Sequence, residues 1–326
     1  MTRRNLIIIH RGPEYDPDFE TISLKVRDLD PDLVIYSLPA RLKGGLPEDA
    51  WQHPTLTVAL QGDFRLTVKR GPVLRNRMIG KLDQQAVFRR HGIPTPPALP
   101  FRPGMALDPI LFGDFVVLKP ADLMQTSSGE GILFYRRATL QAARPEALAA
   151  LPRPNPATDP FIVQRFVHSG PRIAVERVTT LLGDVISQWR AEAVVDVLPA
   201  SPRDMADGTN VAVQNVVRDR YLTADTDAAD MARRVAAAYP DVPLLGVDIL
   251  REPGSGRLHV LECNAGGNTW FFSSDLGAHV RQTIRATQDG PEPADEAAGK
   301  RRLLEQFDTF DIAARALHRA VTELAR

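Results

Sequence analysis

The sequence predicts an α+β protein: a small parallel α/β unit over residues 1–76, followed by antiparallel hairpins, amphipathic helices and a C-terminal helix. Three observations predict it. Near the start, short apolar runs alternate with a stretch of helical spacing, the pattern of parallel strands with a crossover helix. Further on, apolar runs are separated by Gly183-Asp184 and by Pro253-Gly-Ser-Gly-Arg257, which read as hairpin turns. The 326 residues suffice for two or three packed units with a sizeable core.

Taken in order, Leu6–Ile9 is a short, fully apolar strand. The preceding Met-Thr-Arg-Arg-Asn is basic, but the apolar run is too short for a signal peptide and has no small-residue cleavage site. Asp18–Leu29 carries Phe19, Ile22, Val26 and Leu29 at helical spacing, and Asp32–Leu38 and Thr55–Leu60 are the next strands. In parallel sheets ligands meet the carboxyl ends of strands, where His10 and Arg11 lie; a plain surface loop is the favoured reading there. Arg77–His91 is a helix ended by Gly92 and the prolines after it. Phe115–Leu118 and Ile132–Tyr135 are strands flanking a glycine- and serine-rich turn, Thr126–Gly131. A helical segment spans Leu140–Leu151, a proline-rich connection Pro152–Pro160, and a strand Phe161–Val167. Arg172–Leu182 and Val185–Ala193 form an antiparallel pair, Leu198–Asn210 a polar loop, and Asp227–Tyr239 an amphipathic helix. The hairpin around Pro253–Arg257 follows. Asp289–Ala298 reads as a linker, and Lys300–Arg326 as one long helix with Leu303, Phe307, Phe310, Ala314 and Leu317 along one side.

Composition excludes several classes. Lys plus Arg and Asp plus Glu both number 40, so the formal charge is zero, which argues against a general nucleic-acid binder. A single cysteine excludes an internal disulfide framework and suits a reducing cytoplasm. No apolar run approaches membrane-spanning length, so no membrane partner is expected. The seven histidines are scattered and none pairs at zinc-ligand spacing. No Gly-x-Ser-x-Gly elbow and no standard P-loop occurs.

The chemistry-bearing residues concentrate in the last hairpin. If its loop is symmetric about Ser255, Asp248 falls opposite Glu262. Alternation then places Glu262 and Asn264 on one face and turns Cys263 away as a packed apolar residue. Two carboxylates and an amide oxygen repel one another unless a cation joins them, and this donor set suits Mg²⁺ shared with substrate phosphates. A hairpin end with solvated acids is the plainer alternative. Lys119 ends an apolar strand ahead of Ser127-Ser128-Gly129-Glu130-Gly131, where free backbone N–H groups and a point charge can grip phosphates. Alone, that turn reads as a hairpin. Arg177 and Arg190 lie inside probable strands, where each needs an anion or an exposed face. Trp270, Phe271 and Phe272 read as core.

In order, these pieces resemble the ATP-grasp superfamily, in particular its glutathione synthetase-like and ribosomal-protein glutamate ligase branch, from about Arg77 to Asn268. Lys81 in Gly-Lys-Leu-Asp-Gln-Gln with His91-Gly-Ile-Pro-Thr-Pro96, Val116-Val-Leu-Lys-Pro120, Ser127–Ile132 and Ile162-Val-Gln-Arg-Phe-Val167 carry the likeness. Arg177, Gly183-Asp-Val-Ile with Arg190, Gly246-Val-Asp248 and Glu262-Cys-Asn264 complete it. The resemblance implies two α+β subdomains, 77–165 and 166–288, sandwiching ATP, with residues 289–326 as linker and helix. It implies Lys81 and Lys119 on the phosphates and Ser127, Ser128, Gly129 and Gly131 as a lid. Gln164, Arg165 and Phe166 would form the hinge along adenine. Asp248, Glu262 and Asn264 would hold one or two Mg²⁺, for which Mn²⁺ can substitute, and Arg190 and Arg177 would be catalytic. The implied activity joins a small-molecule or peptide carboxylate to an amine through an acyl phosphate, releasing ADP and phosphate. The alternatives are a kinase of the same fold and a non-catalytic nucleotide-binding module. A homo-oligomer is left open. Arg165 departs from the glutamate often found at its position, and the segment 197–217, with Asn210 and Asn215, does not align.

Overall fold

The structure, a computed structural model, describes residues 3–42, 45–121, 131–151, 154–212, 216–266 and 269–325. Three sheets are built in chain order. The first holds β1 (Arg4–His10), β2 (Leu33–Pro39), β3 (Thr55–Ala59) and β4 (Val73–Arg75), all parallel in the order β2-β1-β3-β4. Its central strand is apolar on both faces because both are covered. Leu6 and Ile8 meet Phe19, Ile22 and Val26 of helix α1 (Asp16–Leu29), while Ile7 and Ile9 pack under Trp51, Phe64 and Leu66. The short fourth strand goes beyond the three that periodicity predicts. His10 is buried, against the surface-loop expectation: it ends β1 with its ring stacked on Phe19 at 5.3 Å.

Helix α2 (Lys81–Arg90) leads to the second sheet, β5 (Ala98–Pro100), β6 (Phe115–Pro120), β7 (Leu133–Arg136) and β8 (Phe161–Arg165), antiparallel in the order β5-β8-β6-β7. Val116, Leu118 and Val163 pack outward onto α3 (Pro109–Phe112), α4 (Arg137–Ala142) and α5 (Pro145–Ala149). The latter two divide the single helix expected over Leu140–Leu151. Alternation leaves Val117, Lys119 and Gln164 on the opposite, inward face.

The third sheet runs β13-β12-β9-β10-β11-β14, from β9 (Ala174–Leu181), β10 (Asp184–Ala193), β11 (Arg218–Leu222), β12 (Leu244–Arg251), β13 (Leu258–Asn264) and β14 (Ile284–Arg285). Its pairs are antiparallel except β11 with β14. Val178, Val247, Ile249 and Val260 pack on α6 (Thr226–Ala237), whose Met231, Ala232 and Val235 supply the apolar stripe; Asp225 caps that helix through the N–H of Ala228. The other face looks toward the second sheet. Helices α7 (Asp275–Thr283), α8 (Glu296–Glu305) and α9 (Thr309–Leu324) close the chain. The long terminal helix of the sequence reading is thus two helices, broken at Asp308, whose φ of 51° leaves the right-handed region. Helix α9 packs Ala313, Leu317 and Val321 into the core shared by the first sheet and by Trp270 and Phe272. Buried Asp18 of α1 accepts from the Trp270 indole at 2.9 Å and pairs with Lys300 of α8 at 2.5 Å, joining the two ends of the chain.

Candidate active site

A cleft of about 370 Å³ lies between the inward faces of the second and third sheets. Its walls are apolar at one end, with Val117 and Ile132 on one side and Leu250 and Leu261 on the other. Its rim is the end of β8, where Gln164, Arg165 and Phe166 pass. Buried Gln164 donates to the Pro96 carbonyl at 3.1 Å, and Phe166 packs edge-on against Phe134. Arg165 is exposed. A loop from the third sheet closes one side: Phe134 N donates to Thr209 O at 2.8 Å, Gly208 N to Phe134 O at 2.7 Å, and Val211 N to Ile132 O at 3.0 Å. Residues 206–211 therefore run along β7 as an added edge, which Asp207 reinforces through its ion pair with Arg136.

The other end of the cleft is charged. Asp248 and Glu262 face each other across β12 and β13. The register is reached by a different route from a symmetric loop. Arg251 pairs with Leu258, and a bulge opposite Asp248–Ile249 adds a residue to β13. A bulge of this kind turns two successive side chains to one side, and both Leu261 and Glu262 line the cleft. Arg177 of β9, the register partner of Asp248, holds it in a two-pronged pair at 2.5 and 2.7 Å while its guanidinium lies over the Phe271 ring. Burial lifts the Asp248 carboxyl to about 6, against the pull of Arg177 and with the charge of Glu262 adding to the rise. The Asn264 amide donates to Asp248 at 3.3 Å and Glu262 at 3.4 Å. Two facing carboxylates, beside an amide that can turn its oxygen inward, fit a hard cation. Among the described residues no group of three or more His, Cys, Asp or Glu side chains is placed to hold a metal ion. Cys263 points away and is buried; burial, then the Glu262 charge, pushes its thiol up to about 12.

Across the cleft stands Lys119. Burial lowers its ammonium to about 8, Glu262 opposes that and Lys81 adds to it. Lys81, the first residue of α2, donates to the Pro120 carbonyl at 3.0 Å. The two lysines are thus close enough to repel, an arrangement that an anion between them relieves. Gly131 is the described end of the glycine-rich stretch: its φ is 72°, and a Cβ would meet Pro154 at 2.9 Å. Ser127, Ser128 and Gly129 lie outside the described residues, as does Asn215. Asn210 bridges to Leu133 on the closing loop.

Arg190 requires correction. Its register partner on β9 is Glu176, so alternation turns it to the face opposite Arg177. There it donates to Glu192 at 2.9 Å and pairs with buried Glu176 at 3.7 Å. The cleft-facing arginines on this side are Arg218 and Arg220 of β11, which the sequence reading missed. Burial lowers both guanidiniums below their ordinary value, and the charge of Arg218 lowers Arg220 further. Their signal was the alternation in Arg218-Asp-Arg220-Tyr-Leu. Gln84 was also missed. From α2 it donates to Cys263 O at 3.0 Å and accepts from Cys263 N at 2.8 Å, pairing with the free edge of β13 as a neighbouring strand does.

No protein-family model matches the chain, and no curated relative does. Among solved structures it is similar to D-cycloserine synthetase DcsG, at 15% identity over 97% of this chain and 99% of that one, with a TM-score of 0.47. It is similar to the ATP-grasp ligase PsnB complexed with a phosphomimetic variant of minimal precursor, Mg and ADP, at 14% identity over 99% of both chains, TM-score 0.48. A D-alanine–D-alanine ligase from Bacillus anthracis complexed with ATP shares 15% identity over 99% of both chains, TM-score 0.41.

Proposed function

We propose that the chain is an ATP-grasp enzyme, an ATP- and Mg²⁺-dependent ligase that joins a carboxylate to an amine. One observation carries the reading: Asp248 and Glu262 sit opposite each other in a cleft that also holds Lys119 and is lined by Val117, Ile132, Leu250 and Leu261. That is the layout of a nucleotide triphosphate, flat and apolar at one end and polyanionic at the other. Val117, Ile132, Leu250 and Leu261 would cover the two faces of the base, and the backbone of Gln164–Phe166 would meet its edge. Lys119 and Lys81 would neutralise the phosphates. Mg²⁺ held by Asp248, Glu262 and Asn264 would supply further charge neutralisation at the outer phosphates.

Phosphoryl transfer needs positioning and charge stabilisation more than covalent help from the protein. The γ-phosphoryl passes to a substrate carboxylate oxygen and ADP leaves. The amine then attacks the acyl carbon, phosphate departs and the amine proton goes to solvent. Arg220, with Arg218 beside it, would face the charge on the moving phosphoryl group, while Arg177 keeps Asp248 oriented. Stretch 126–131 would exclude water, which otherwise hydrolyses the acyl phosphate. The test is ADP release over pairs of carboxylates and amines, with product mass read for condensation and hydroxylamine as a trap. A hydroxamate marks an acyl phosphate. ADP release with a phosphorylated alcohol as product would replace the ligase with a kinase.

A further inference from the structure

A second cleft, of about 1580 Å³, opens at the carboxyl edge of the parallel sheet. Each of the four strands sends an arginine into it. Arg11 follows β1 directly, and Arg41 lies just past β2. Arg65, in the loop after β3, is drawn back toward Arg41 because its N–H donates to the Ala40 carbonyl at 3.0 Å, and Arg75 ends β4. Arg77 joins them, already paired with Asp241 at 2.7 Å. Glu14 and Asp63 are the carboxylates on the lining. Arg41, Arg65 and Arg75 form no ion pair among the described residues. Scattered surface arginines have no reason to stand one per strand at the edge where parallel sheets receive ligands.

We propose that this cleft seats a multiply anionic substrate, one bearing two or more carboxylate or phosphate groups besides the group that reacts. Calling it a substrate rests on the ligase reading; anion binding in the cleft does not. Guanidinium forks recognise such groups two-pronged, and three uncommitted forks match a di- or trianion. The cleft also leads to the chemistry. Ala265 and Gly266, which directly follow Asn264, line it. Its floor is tied to the metal-face hairpin by buried Asn76, which donates to Leu60 O and accepts from Leu244 N, both at 3.1 Å. Gly62 completes the floor, where a Cβ would come within 2.5 Å of the Asn76 carbonyl.

The test is calorimetric titration of the full chain, free of Mg²⁺, with acetate, succinate and citrate, and with serine against phosphoserine. The expected result is at least tenfold tighter binding of citrate than acetate, weakened by salt. It should fall at least tenfold in the triple variant R41Q/R65Q/R75Q and hold in Lys119→Met. Since the three side chains are exposed, the triple variant should keep the wild-type circular dichroism and its affinity for Mg-ATP. Phosphoserine binding without citrate binding assigns the cleft to phosphates, and the reverse to carboxylates. The proposal is overturned if no polyanion binds, if affinity is flat across the series, or if the triple variant binds as wild type. Failure of Mg-ATP to bind the wild type, with citrate still bound, would remove the ligase reading and leave the anion cleft standing.

Discussion

Gln84 gives the most direct test of how the site is built. Glu262 and Asn264 sit on β13, an edge strand of the third sheet, so the backbone between them has no strand partner on its outer side. Gln84 supplies that partner. Its Oε1 accepts from Cys263 N, and its Nε2 donates to the carbonyls of Cys263 and Ile79, at 2.8, 3.0 and 3.0 Å. Both Gln84 and Cys263 are almost fully buried. Gln84→Ala therefore strands a backbone N–H and a C=O. Each stranded group costs roughly 1–3 kcal/mol, less where water enters the new space, so the expected loss is about 2–4 kcal/mol. Urea unfolding followed by tryptophan fluorescence measures it as a lower midpoint at unchanged slope, with Trp189 and Trp270 as core reporters. The same change should raise the Mg²⁺ concentration for half-maximal turnover more than it lowers turnover at saturating Mg²⁺. A loss below about 0.5 kcal/mol would refute the reasoning, since the measured cost would then be that of an ordinary surface change.

Glu262→Gln should leave the urea midpoint near wild type and abolish Mg²⁺-dependent ADP release; unchanged turnover sinks the metal assignment. Arg220→Gln should lower turnover on the order of 10²-fold, the usual effect of removing one charge-stabilising donor, whereas Arg190→Gln should mainly lower stability by freeing buried Glu176; the opposite ranking restores Arg190 to the site. Cys263, its thiol pushed up to about 12 by burial, should resist iodoacetamide at pH 8 in the native chain and react once unfolded; rapid native alkylation contradicts its placement. Lys119, lowered to about 8 in the folded chain, binds more protons unfolded than folded between pH 8 and its ordinary range, so it should make stability rise with pH there. The wild-type minus Lys119→Met difference in unfolding free energy, which cancels the opposing titration of Cys263, should climb from pH 8 to 9.5; a flat difference refutes the buried ammonium.

Elements with local signals were legible in the sequence. Leu6–Ile9 reads as a buried strand because both its faces are covered, and the β12–β13 hairpin because its loop carries Gly254 and Gly256, both at positive φ. What depended on distant partners was not. The split of the last helix at Asp308 interrupts a continuous apolar stripe, and periodicity cannot register a single left-handed residue. His10 looked like loop because periodicity does not show that the chain turns back after β1 and lays the rings of Tyr15 and Phe19 against it. Gln84 lies 179 residues from the strand it completes, and its neighbours mark it only as one polar residue on a helix.

The misplacement of Arg190 shows where strand logic needs one more datum. Alternation fixes which residues of a strand share a face, but the absolute face comes from pairing. Between Val185 and Ser187 a bulge shifts β10 against β9 by one residue, and a shift of one exchanges the two faces. Without the bulge, Arg190 would stand opposite Val175, on the cleft side. With it, Trp189 stands opposite Arg177 and Arg190 falls opposite Glu176. The compensation lies one strand further on. β11 pairs Ala191 with Arg220 and Ala193 with Arg218, so two alanines leave room on the cleft face that two arginines from the next strand fill. Small residues at 191 and 193 and long cations at 218 and 220 are thus one feature, legible only once the register is known. It places the guanidinium groups of this wall on β11.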